Sequence, residues 1–178
     1  MSATDPADIT VLVLDVDGVL TDGRVTYTAG GDELHAFSAR DGAGMKYWKR
    51  AGGRLALISG RGSPAVERRA AELDVDAVRL QAKDKDAAFE EVLCELDVPA
   101  ERVAVVCDDL TDIPMLRRCG YPVAVADAVE EVRSRAAYVT RACGGDGCVR
   151  EVIELLLKAS GRWGRILERY LPDGEAYA

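Results

Sequence analysis

The sequence predicts an α/β fold, a mostly parallel sheet covered by helices on both faces. Three observations lead there. Short buried-type runs, Val11–Leu14, Arg54–Ile58 and Arg102–Val106, alternate with longer stretches of helical period. Each of these runs ends in a polar signature: Asp15-Val16-Asp17, Ser59-Gly60-Arg61, and Asp108-Asp109-Leu110-Thr111-Asp112 after Cys107. The chain has 178 residues and is 48% apolar, the size of one domain around one core, so 1–178 is expected to fold as a single unit.

The elements follow in order. After the first strand, Arg24–Thr28 and Glu33–Ser38 flank Gly30-Gly31 and read as a β-hairpin spanning about 24–38. A helix is expected over Asp41–Ala51, with Asp41 as its cap and Gly52-Gly53 as its stop. The second strand, Arg54–Ile58, leads to a helix from Pro64 through Leu73, capped by Ser63. Asp76–Leu80 is a short strand and Lys83–Leu96 a long amphipathic helix. Beyond Arg102–Val106, Ile113–Cys119 is helical, Tyr121–Val125 a strand, Val129–Arg135 a helix and Ala137–Val139 a last short strand. Gly144–Gly147 is a loop, and Cys148–Ala159 is an amphipathic helix with Val149, Val152, Ile153 and Leu156 on its apolar side. A tail of about 160–178 carries Trp163, Ile166, Leu167 and Tyr170. No large insertion stands between Gly23 and Arg54 or after Arg61, so no cap domain is expected.

Composition narrows the partners. The net charge of −8 argues against a nucleic-acid surface, and no apolar run approaches a membrane span. The first residues lack the basic and apolar regions of a signal peptide, so a cytoplasmic protein is expected. The five cysteines form no C-x-x-C pair and read as free thiols; with His35 the only histidine, a zinc site is not expected.

The polar signatures carry the chemistry. Asp15 and Asp17 sit two apart at the end of a buried strand, where an open α/β sheet places ligands. Close carboxylates repel, and a hard divalent cation relieves that repulsion. With Asp108, Asp109, Asp112, Ser59 and Lys85 converging on the same edge, the set suits a phosphate held with Mg²⁺, and Asp15 is placed to attack phosphorus. Lys85 lies in the charged run Lys83-Asp84-Lys85-Asp86, where Lys83 is the competing candidate.

These motifs, D-V-D-G-V-L-T-D-G, a hairpin, F-S-A-R-D-G, I-S-G-R and D-D-L-T-D-I-P-M, resemble the haloacid-dehalogenase superfamily. Within it they resemble the capless, Rossmann-like branch of 3-deoxy-D-manno-octulosonate 8-phosphate phosphatases, from Ile9 to about Leu157. The resemblance implies an Mg²⁺-dependent phosphomonoesterase of lipopolysaccharide biosynthesis. Asp15 would be nucleophile and metal ligand. Asp17 would be general acid and base, lending its backbone carbonyl to the metal. Asp108 would be the other carboxylate ligand, with Asp109 and Asp112 in support. Ser59 and Lys85 would hold the phosphoryl oxygens. Asp17, Gly60, Arg61, Lys46, Arg69 and the segment Ser38-Ala39-Arg40-Asp41-Gly42 would contact substrate. The hairpin would assemble a homotetramer, and the tail would cover a neighbour's site. Three positions depart from the branch: Cys107 replaces a glycine and is expected to crowd the phosphate pocket, Lys46 replaces an arginine, and Ser38 an asparagine. A nonulosonate 9-phosphate is the alternative substrate, and a non-catalytic partner of a sugar-nucleotide synthetase the alternative role.

Overall fold

The computed structural model describes residues 3–171; positions 1–2 and the end of the tail, 172–178, lie outside the described residues. Along the chain the elements are β1 (Val11–Leu14), β2 (Thr26–Tyr27), β3 (Glu33–Leu34), α1 (Ala39–Arg50), β4 (Arg54–Ile58), α2 (Pro64–Glu72), β5 (Ala77–Arg79) and α3 (Lys85–Glu95). They continue with β6 (Val103–Cys107), α4 (Ile113–Leu116), β7 (Tyr121–Ala124), α5 (Glu130–Arg133), β8 (Tyr138–Val139), α6 (Cys148–Ala159) and α7 (Trp163–Leu167).

Six strands form one sheet in the order β5-β4-β1-β6-β7-β8, and every pair is parallel. The most apolar strand takes the centre. All four residues of β1 are buried, with Leu14 in register with Leu57 of β4 and Val106 of β6. Right-handed crossovers send α1 and α2 to one face and α3, α4 and α5 to the other. α6 packs on α1. The chain runs outward from β1 through β4 to β5, then returns to β6. The order therefore reverses at β1 and β6, and a ligand crevice opens at their carboxyl ends.

Element types match the sequence pattern, and the differences are at boundaries. α1 begins at Ala39, not at Asp41, because the Ser38 hydroxyl accepts from Asp41 N and takes the cap. Serine and asparagine cap helices about equally well, which gives the Ser38 departure a structural reason. α3 begins at Lys85, because Asp84 caps it by accepting from Asp86 N and Ala87 N. The strands of the hairpin are only two residues long, since they pack on little. Val25, Tyr27 and Leu34 are 43%, 62% and 52% exposed there.

Asp41 caps a different helix from the one the sequence suggests. Its carboxylate is buried and accepts from Gly147 N at 3.1 Å and Arg150 N at 2.7 Å, at the start of α6. The preceding loop in turn lies on the first-strand loop. Gly145 N donates to Val19 O, and a Cβ on Gly144 would fall 1.9 Å from Gly18 O. Asp41→Ala would leave two buried amides unpaired at a cost of about 1–3 kcal/mol. Thermal unfolding is expected to show a fall of several degrees, and an unchanged midpoint would rule this role out.

Candidate active site

The crevice at the switch point is a cavity of about 670 Å³. Among its lining residues are Asp15, Asp17, Ser59, Gly60, Arg61, Lys85, Asp108 and Asp109. Each comes from the carboxyl end of a strand or the turn that follows, apart from Lys85, which enters from the first turn of α3. That turn follows β5, two strands from β1, and the long side chain spans the gap.

At its floor, carboxylate oxygens of Asp15, Asp108 and Asp112 lie within 4.8 Å of one another. Lys85 Nζ stands 2.9 Å from Asp15 Oδ1 and 2.5 Å from Asp112 Oδ1, with all three side chains almost wholly buried. One lysine does not balance three carboxylates. Burial, followed by the charge of Asp112, pushes the Asp15 carboxyl up to about 6. Burial, then Asp15 and Asp112, pushes Asp108 up to about 8. Lys85 is driven the other way: burial alone would lower it, and Asp15 with Asp112 holds it above its ordinary range. It is therefore a fixed positive charge.

The three acids have different duties. Asp112 is fully committed, with one oxygen on Lys85 and the other accepting from Asp108 N at 3.5 Å. Asp108 Oδ1 is buried with no hydrogen-bond partner. A buried, partnerless carboxylate oxygen is costly, and a hard cation satisfies it. Asp15 and Asp108, with the Asp17 backbone beside them, thus fit a small oxygen-loving divalent ion such as Mg²⁺. Asp112 fits the support of that set rather than its ligation.

Asp17 faces elsewhere. Its Oδ2 accepts from Ser59 Oγ at 3.5 Å and lies 3.9 Å from Arg61 Nε. The Ser59 hydroxyl also accepts from Arg61 N and so fixes the 59–61 turn. Arg61 reaches the hairpin through Glu33, 2.7 Å away. Asp109 accepts from Leu110 N and caps the turn that carries Asp112.

Gly18 shapes the floor. It has φ +89°, and a Cβ there would sit 2.1 Å from Asp108 Oδ2. The Thr21 hydroxyl is buried, accepts from Gly18 N and Gly23 N, and donates to Val16 O, tying the loop together. Neither residue stood out as a site residue, although both lie inside the quoted D-x-D-G-x-x-T-D stretch. Ala82, Lys83, Asp84, Thr111 and Pro114 complete the lining. Lys83 is exposed and Lys85 buried, which decides between the two lysines.

Some expected members lie apart. Cys107 is wholly buried and does not line the cavity, so it does not crowd the phosphate pocket; it lies beneath the floor, close enough to Asp112 and Asp15 to feel their charge, and burial pushes its thiol far above the usual range. Asp41 is occupied by α6. Gly42 packs on Arg69, whose Nη2 donates to Ser38 O. Arg40 borders a separate cleft with Arg141 and Lys158, and Lys46 is exposed on α1. Neither Cys107 nor any of Arg40, Asp41, Gly42, Lys46 and Arg69 lines the catalytic cavity of its own chain.

A parallel sheet with an Asp15–Asp108 pair, a buried lysine and a serine turn at its switch point defines a phosphohydrolase of the haloacid dehalogenase type. The family model described as haloacid dehalogenase-like hydrolase matches residues 78–152. The 3-deoxy-D-manno-octulosonate 8-phosphate phosphatase of Escherichia coli strain K12 is 44% identical over 155 residues, covering 87% of this chain and 82% of that protein. The solved structure of the Moraxella catarrhalis phosphatase of that name, in complex with magnesium, phosphate and KDO, superposes with a TM-score of 0.91 at 35% identity, over 93% of this chain and 95% of that one. A cobalt-bound form of the Haemophilus influenzae enzyme gives a TM-score of 0.86 at 37% identity, over 89% and 92%. The chain belongs to the family of 3-deoxy-D-manno-octulosonate 8-phosphate phosphatases.

Proposed function

We propose that this chain is an Mg²⁺-dependent phosphomonoesterase that hydrolyses a small sugar acid phosphate, 3-deoxy-D-manno-octulosonate 8-phosphate. The observation that carries this reading is the meeting of Asp15, Asp108, Asp112 and Lys85 on one cavity floor. The Asp15 and Asp108 carboxylates and the Asp17 carbonyl would hold Mg²⁺, which when bound would supply positive charge to the phosphoryl oxygens. Lys85 and the Ser59-Gly60 turn orient the other oxygens. The Asp15 carboxylate attacks phosphorus, the P–O bond to the sugar breaks, and the Asp17 carboxyl gives its proton to the leaving alkoxide. Asp17, now a carboxylate, takes a proton from water as that water attacks the aspartyl phosphate, which frees Asp15 and inorganic phosphate.

Phosphate release from a panel of sugar acid phosphates tests this directly. Turnover is expected with Mg²⁺ and is expected to vanish in EDTA. Preference for a nonulosonate 9-phosphate would move the substrate assignment. No metal-dependent turnover on any member would favour a non-catalytic role.

The open cavity and the exposed apolar side chains of the hairpin support a homotetramer in which subunits close one another's sites. Arg40, Lys46 and Arg69, which do not line their own chain's cavity, would then meet sugar across a subunit boundary. Light scattering showing a fully active monomer would exclude this. Among the described residues no helix is long and apolar enough to cross a membrane, and we place the enzyme in the cytoplasm.

A further inference from the structure

A second cavity, of about 440 Å³, lies at the opposite end of the sheet. Its walls are Arg50, Arg162, Arg165 and Arg169, with Ala51, Gly52 and Ile166 between them. Among the described residues no carboxylate lines it. Among the described residues, none of the four arginines forms an ion pair with a carboxylate. That runs against the composition, in which 31 acidic residues outnumber 23 basic ones.

Arg162 anchors the arrangement with neutral partners. Its Nε donates to Ser160 Oγ at 2.8 Å, Nη1 to Ala51 O at 3.2 Å and Nη2 to Ile9 O at 3.3 Å, and the guanidinium lies 4.9 Å over the Trp48 ring. Arg50 is tied to the Tyr170 hydroxyl at 3.0 Å. Arg165 and Arg169, exposed and four residues apart on helical turns, present like charges on one side, which is unfavourable without a counter-ion. Two fixed and two free guanidinium groups around one hollow make forked donors, which match the oxygens of phosphoryl groups.

The place is remote from the phosphatase chemistry. Ile9 and Ala51 precede β1 and β4, whereas the catalytic groups follow them. Ile9 and Asp15 are six residues apart on extended chain, roughly 20 Å at about 3.3 Å each. We propose that this cavity binds a compact multivalent phosphoryl anion of the pyrophosphate class. It is a binding site separate from the one that performs hydrolysis.

Calorimetric titration of the full-length protein with inorganic pyrophosphate, in EDTA and 150 mM salt, tests it. One site per chain is expected, with inorganic phosphate binding at least tenfold more weakly. Arg165→Gln/Arg169→Gln, two exposed changes, should weaken pyrophosphate at least tenfold and leave the thermal midpoint without pyrophosphate unchanged. Arg61→Gln, which alters the catalytic cavity and its tie to the hairpin but not the arginine cavity, should retain wild-type pyrophosphate affinity. Equal affinity in the double variant and wild type, or loss of binding in Arg61→Gln instead, would overturn the proposal; so would the absence of any heat at millimolar pyrophosphate.

Discussion

Asp15→Asn is expected to lower phosphate release by about 10⁶-fold, the scale seen when a nucleophile is removed from a preorganised site. The substitution is nearly isosteric, so the loss would be chemical. An amide neither attacks phosphorus nor carries the charge that Lys85 and a divalent ion compensate. The fold should survive. Asp15 sits in a cluster whose carboxylates raise one another's proton affinity, and removing one charge lessens that repulsion. Lys85 keeps Asp112 as a partner at 2.5 Å. In EDTA the variant is therefore expected to melt no lower than the wild type, and in Mg²⁺ to lose most of the stabilisation the ion gives the wild type. Activity above one hundredth of wild type in the folded variant would show that Asp15 is not the nucleophile.

Gly18→Ala is expected to cost about 10²-fold in turnover without touching a single reacting group. Its Cβ would fall 2.1 Å from Asp108 Oδ2 and 2.6 Å from Asp108 Cγ, so the carboxylate has to leave its place. The backbone adds to this, because φ is +89° and a side chain there is strained by about 1–2 kcal/mol. Displacing Asp108 removes one of two carboxylates proposed to hold the ion. The Mg²⁺ concentration for half-maximal activity should rise well above that of the wild type, and added Mg²⁺ should recover part of the rate. Gly164→Ala is the control: among the described residues its Cβ would meet nothing within 4 Å beyond its own helical turn, and the Mg²⁺ dependence should be unchanged. Wild-type metal dependence in Gly18→Ala would mean that Asp108 does not bind the metal.

These two residues also show how far the linear sequence can be read. Asp15 declared itself, because four buried apolar residues before it and a D-x-D-G run after it left few alternatives. So did the parallel sheet, whose strands and helices follow hydrophobic period and turn residues that act locally. Gly18 was visible only as a letter in a motif. That it makes room for Asp108, ninety positions later, is a contact between the loops that follow β1 and β6, which no local pattern encodes.

Asp41 shows the same limit from the other direction. Its place at the head of a helical stretch suggested a cap for that helix, and capping preference is local. Whether its carboxylate turns to its own helix or to the start of α6 depends on how α1 and α6 pack, and Ser38 had already taken the nearer task. Cys107 was expected beside the phosphate because of its neighbours in the chain. The pleat of β6 turns it into the core instead.

By itself the sequence determined the order of strands and helices, the acidic signature at three strand ends and the chemistry those groups can perform, since side-chain type and period are properties of neighbours along the chain. Tertiary structure alone decided which carboxylate oxygen is left without a hydrogen-bond partner, which lysine is buried against Asp15 and where four arginines gather around one hollow. Each of those depends on distances between segments far apart in the chain, and such distances are set by packing.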